Sequence, residues 1–141
     1  MMNMYAQAYD QYKKTSVETL SPGKLLLMLY EGAIKNVKLA REGIKEKDYN
    51  KAHNHLIKAQ DIITELMVTL KMEYDIAKQL YSIYDYLYRR LVEANVRKDA
   101  AILDEVEVFL TELRDTWQEV VKKQAQSLLE KSRPQNISVK G

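Results

Sequence analysis

The sequence contains no cysteine, which excludes disulfides, thiol nucleophiles and thiolate metal sites. Proline occurs twice and glycine four times in 141 residues, both far below average usage, and β-branched runs are scarce. Long apolar runs are also missing. The longest, Leu25 to Tyr30, is far short of the roughly 20 residues needed to span a bilayer, so no membrane insertion is expected. The opening stretch "MMNMYAQAYDQYKK" has no basic cluster followed by a long apolar core, so no signal peptide is expected and the chain reads as cytoplasmic. A formal net charge of +2 is too small to imply a polyanionic partner. The basic doublets Lys13-Lys14, Arg89-Arg90 and Lys122-Lys123 are scattered, so no nucleic-acid footprint emerges.

What is present is helical. Ala, Leu, Glu, Lys and Gln dominate the middle of the chain. Ser21 suits an N-cap and Pro22 the first helical position, where a missing N–H costs nothing. Leu26, Tyr30, Ala33, Val37, Ala40 and Ile44 then recur at helical spacing on one face. Asp48 caps a second helix carrying Ala52, Leu56, Ala59, Ile63, Leu66 and Leu70. A third carries Ile76, Leu80, Ile83, Leu87, Leu91 and Ala94, after a break near "KMEYD" that contains neither glycine nor proline. The segment from Asn95 to Asp99 reads as a turn. A fourth helix follows with Val106, Leu110, Leu113, Trp117 and Val120.

Four amphipathic helices of about 25 residues, roughly 35–40 Å each, joined by short links, pack up, down, up and down. The expectation is an all-α, antiparallel four-helix bundle over 21–124, preceded by a segment 1–20 and followed by a mobile tail 125–141. Charge segregates: Lys35, Lys38, Arg41 and Lys45 lie on the first helix, and Asp104, Glu105, Glu107, Glu112, Asp115 and Glu119 on the fourth. The simplest reading is that the two helices are neighbours.

The patterns of catalysis are missing. A di-iron carboxylate bundle needs Glu-x-x-His, but Asn50 and Ala52 occupy the positions three residues before His53 and His55. Two apart on a helix, those histidines point about 200° apart and cannot share a metal. Ser16, Ser21, Ser82 and Ser127 have no glycine-rich elbow, and glycines at 23, 32, 43 and 141 cannot build a phosphate loop. No enzyme, metal or cofactor is expected.

A surplus of apolar side chains remains beyond the four seams: Leu25, Leu27, Leu29 and Ile34; Ile57, Ile62 and Met67; Tyr81, Tyr84 and Tyr88; Ile102, Leu103, Phe109 and Val121. Wide seams or the chain's own tails would cover some of them. As a set they suggest a groove. Ten tyrosines against one phenylalanine and one tryptophan suit a surface half dry and half wet. Such a groove fits a long partner segment that orders on binding, because only extensive apolar burial offsets the entropy of ordering it. The alternative is a structural bundle whose surplus is an oligomer interface.

Four stretches, "SPGKLLLMLYEGAI" (21–34), "KAQDIITEL" (58–66), "LYSIYDYLYRRLVEAN" (80–95) and "LDEVEVFLTELRDTW" (103–117), resemble the FliS family of flagellar secretion chaperones. The resemblance runs from Tyr9 to about Val121. It implies a cytoplasmic, non-enzymatic export chaperone that binds the disordered C-terminal segment of flagellin, prevents premature polymerisation and assists delivery to the flagellar type III export gate. It also implies a monomer or weak dimer when free, with the N-terminal segment docked on the empty groove through Tyr9 and Val17. The groove would comprise Leu25, Leu29, Ile57, Ile62, Tyr81, Tyr84, Tyr88, Ile102, Leu103 and Phe109. On that reading, glutamate at Tyr84 or Phe109 weakens binding and leaves helix content intact.

Overall fold

A computed structural model of the chain describes residues 22–132. They form four helices: α1 (Pro22–Lys45), α2 (Tyr49–Val68), α3 (Asp75–Arg97) and α4 (Ala100–Ser132). Helix α1 packs on α2 and α4, and α3 packs on the other sides of the same two. The result is the expected all-α, antiparallel four-helix bundle. The residues 1–21, and with them Tyr9 and Val17, lie outside the described part, as do 133–141.

Each turn has a local cause. The α1–α2 link is closed by Asp48 N–H to Gly43 C=O at 2.8 Å and Lys47 N–H to Ile44 C=O at 3.1 Å. This pair of bonds caps an α-helix through one left-handed residue, here Lys47 with φ 61°. Asp48 Oδ1 then accepts from Lys51 N–H at 3.1 Å, capping α2 as expected. The α3–α4 turn is shorter than expected: α3 runs to Arg97, Lys98 is left-handed with φ 50°, and Asp99 N–H bonds Ala94 C=O at 3.2 Å. Asp99 Oδ1 accepts from Ala101 N–H at 2.9 Å and so caps α4. The α2–α3 link needs no glycine: Leu70 N–H bonds Met67 C=O at 3.2 Å and Tyr74 N–H bonds Lys71 C=O at 3.1 Å.

The left-handed conformation crowds Cβ against the next carbonyl, and only glycine escapes that crowding. Lys47 is exposed, so Lys47→Gly should raise stability by about 0.5–1 kcal/mol. Urea unfolding of the two proteins under one buffer measures it.

The core is a continuous cluster from all four helices, with Tyr30, Val37, Leu56, Ile63, Leu66, Tyr84, Leu87, Leu91, Leu103, Val106 and Leu110 fully enclosed. In a ring of four, every helix touches two neighbours and buries a stripe wider than one seam. That width takes in Leu29, Ile34, Ile62, Ile102 and Leu103, which the spacing assigned to the surplus. The expected charge pairing is seen between α1 and α4: Arg41 bonds Asp104 at 3.0 Å and also meets Glu107, with Lys38 3.8 Å from Glu107. Glu105 faces α3 instead, where Tyr86 and Arg90 bond it at 2.8 and 2.9 Å. Helix α4 runs through Ser132 and does not fade at Gln124, since "AQSLLEKS" holds no residue that breaks a helix.

Candidate functional site

The bundle is open at one end. There α1 begins, α2 ends, α3 begins and α4 continues outward, leaving a cavity of about 540 Å³. Helix α1 contributes Gly23, Leu25, Leu26 and Leu29, and the α2–α3 link contributes Thr69, Leu70 and Lys71. Tyr74, Ile76, Ala77, Leu80 and Tyr84 supply the α3 wall; Trp117, Val120, Val121 and Gln124 supply the α4 wall. Lys71 is the one charged side chain in this lining.

Tyr84, on the cavity wall, belongs to a pair of buried phenols. The Tyr30 and Tyr84 hydroxyls hydrogen-bond each other, with ring centroids 6.4 Å apart and tilted by 50°. Burial pushes both phenol pKa values up, and the neighbouring Tyr84 pushes Tyr30 further. A phenol raised on folding is held neutral by the fold, so its contribution is complete below the unfolded value of about 10 and is lost as pH climbs above it. Thermal unfolding followed between about pH 9 and 11 should show a steep alkaline loss of stability, and Tyr30→Phe should flatten that slope.

Of the side chains expected to face a partner, the structure brings Leu25, Leu29 and Tyr84 to this cavity. Leu25 is half-buried on its wall, whereas Leu29 and Tyr84 belong to the core and show only an edge to it. Ile62, Ile102 and Leu103 are core residues and present no surface. Their place is a correction to the groove drawn from spacing, and its cause is the width of the buried stripe. Ile57, Tyr81 and Phe109 are exposed and Tyr88 half-buried, but none of them lines the cavity. Phe109 instead meets the Tyr86 ring edge-on, with centroids 5.9 Å apart.

Ile76, Tyr74 and Val120 were missed as site residues. Ile76 lies on the inward stripe of α3 in both sequence and structure, yet it is 60% exposed because it sits past the last packed layer. The signal that could have found it is the position of Pro22. A helix starting there leaves the first turn of α3 and the last turns of α4 without a neighbour at the same height.

The histidines are separate: His53 Nδ1 accepts from Asn95 Nδ2 at 3.0 Å, and His55 Nδ1 lies 2.9 Å from Asn36 Oδ1. Among the described residues no cluster of His, Cys, Asp or Glu could hold a metal ion, and no helix is long and apolar enough to cross a membrane.

The protein is an antiparallel helical bundle with a mostly apolar cleft open at one end. Its lineage is clear from sequence. Residues 5–124 match the model of the family described as flagellar protein FliS, and the chain belongs to that family. It is 42% identical over 114 residues to the flagellar secretion chaperone FliS of Bacillus subtilis, covering 81% of this chain and 86% of that protein. It is 35% identical over 121 residues to that of Salmonella typhimurium, covering 83% and 90%. The fold is shared with a crystal structure of a bacterial flagellar chaperone, at a TM-score of 0.69 and 21% identity over 84% of this chain and 98% of the other.

Proposed function

We propose that the chain is a non-enzymatic chaperone that works in the cytoplasm and binds the C-terminal segment of flagellin. Binding keeps that segment from polymerising early and carries the subunit to the flagellar type III export apparatus. The observation that supports this most is the open cleft. Its walls come from α1, α3, α4 and the α2–α3 link, they are mostly apolar with Lys71 the one charged side chain, and the cleft is large enough to seat several side chains of an incoming helix. Relatives named flagellar secretion chaperones over most of their length support the same reading.

The role of the cleft is tested at its rim, where side chains change without disturbing the core. Ile76 is exposed and Val121 half-buried, so Ile76→Glu and Val121→Glu should fold with unchanged circular dichroism. Calorimetry against a flagellin C-terminal peptide should show binding to the parent chain and a loss of about tenfold or more in each variant, since a charge replaces apolar contact area. Parent affinity in both variants would remove the cleft from the function.

A further inference from the structure

Helix α4 is 33 residues long, about 50 Å, whereas α1 to α3 are 24, 20 and 23 residues, about 30–36 Å. Its last turns therefore leave the bundle at the cavity end. Residues 125–132 of the helix lie beyond the stretch 5–124 that matches the family model.

This stretch carries on the cavity's own stripe. At 100° per residue, Trp117, Val120, Val121 and Gln124 share a face about 100° wide, and Leu128 falls near its centre. Leu128 is 66% exposed, with no described side chain over it. Lys131 lies one turn further along the stripe and Lys123 borders it. Leu129, also exposed, points about 100° away from Leu128 and serves as an internal control.

Charge reverses along the same helix. From Asp104 to Glu119, α4 is acidic, and Asp104, Glu105 and Glu107 meet Arg41, Lys38 and Arg90 of the neighbouring helices at the surface. Beyond Glu119 the helix carries Lys122, Lys123 and Lys131 against Glu130. Among the described residues, none of these three lysines, nor Lys71 at the cavity, has an ion-pair partner. An apolar stripe bordered by uncompensated cations fits an amphipathic helix bordered by anions.

We infer that α4 beyond Gln124 is a docking rail for the exported segment, which lies along it as an acidic amphipathic helix from the cavity to Leu128 and Lys131. The rail from Trp117 to Leu128 is about 16 Å long, or three helical turns. The inference rests on the proposed function and lengthens its site.

Calorimetry with a flagellin C-terminal peptide tests it on the full chain. Leu128→Glu should weaken binding about tenfold with helix content unchanged, and Leu129→Glu should leave it unchanged. Lys131→Glu should weaken it roughly threefold and flatten its salt dependence. Loss of affinity in Val121→Glu, with Leu128→Glu at the parent value, overturns the rail and keeps the cleft. A Leu128→Glu variant that changes only the oligomeric state assigns the stripe to a second copy and overturns the inference. No binding by the parent chain overturns the flagellin reading and this inference together.

Discussion

Tyr84→Glu should unfold the bundle and not merely weaken a binding face. The side chain is 1% exposed, packs among Leu80, Leu87 and Tyr30, and shares its hydroxyl with Tyr30. Among the described residues, a glutamate there has no cation beside it: the lone charged residue of the nearby cavity is Lys71, on the α2–α3 link. An uncompensated buried carboxylate costs about 3–5 kcal/mol, a large share of the 5–15 kcal/mol that holds a domain of this size together. The carboxyl escapes part of that cost by taking a proton, but it still vacates the volume of a phenol ring. The expected result is a loss of cooperative thermal unfolding at neutral pH, with partial recovery as pH falls through the raised carboxyl pKa. Tyr84→Phe keeps the ring and removes only its hydrogen bond to the Tyr30 hydroxyl, which still has Trp117 as a partner, at a cost of about 1 kcal/mol. A Tyr84→Glu protein with parent-like stability and weakened peptide binding would return Tyr84 to an open groove.

The same residue shows what could be read ahead of the structure. The seams of all four helices, the caps at Asp48 and Asp99 and the pairing of Arg41 with α4 carbon-copy local rules, because spacing and capping act over a few residues. Tyr81, Tyr84 and Tyr88 share a spacing too, yet Tyr84 is enclosed while Tyr81 is exposed. The difference lies in how far around α3 its two neighbours reach, and no residue on α3 encodes that. Ile76 makes the converse case: its angle is that of the core, and its exposure comes from its height above the last packed layer. Angles are local properties of a helix. Heights depend on where three other helices stop, so the cleft became visible only once the ends were placed.

Gly43→Ala and Gly32→Ala should have opposite effects, although both glycines lie within α1. Alanine in a helix interior is favoured over glycine by about 0.8–1.0 kcal/mol, so each substitution starts from the same gain. At Gly32 the new methyl would meet only the Cδ1 tip of Ile62 at 3.3 Å, which a small rotation relieves. The gain survives, and Gly32→Ala should be neutral or slightly stabilising. At Gly43 the methyl would come within 2.8 Å of Ala52 N, 3.0 Å of the Asp48 carbonyl oxygen and 3.2 Å of Ala52 Cα. Those atoms are backbone in the first turn of α2. They are held by Asp48 N–H to Gly43 C=O, by Ala52 N–H to Asp48 C=O at 3.0 Å and by the Asp48 cap. Relief therefore requires α2 to move bodily away from α1, opening the largest helix pairing in the bundle. Overpacking of this kind costs about 1–3 kcal/mol and exceeds the propensity gain; Gly43→Val, with two more carbons against the same backbone, should cost more. Chemical denaturation of the three variants measures the order. Equal stability of Gly43→Ala and Gly32→Ala would mean that α1 and α2 do not approach backbone to backbone at their shared turn.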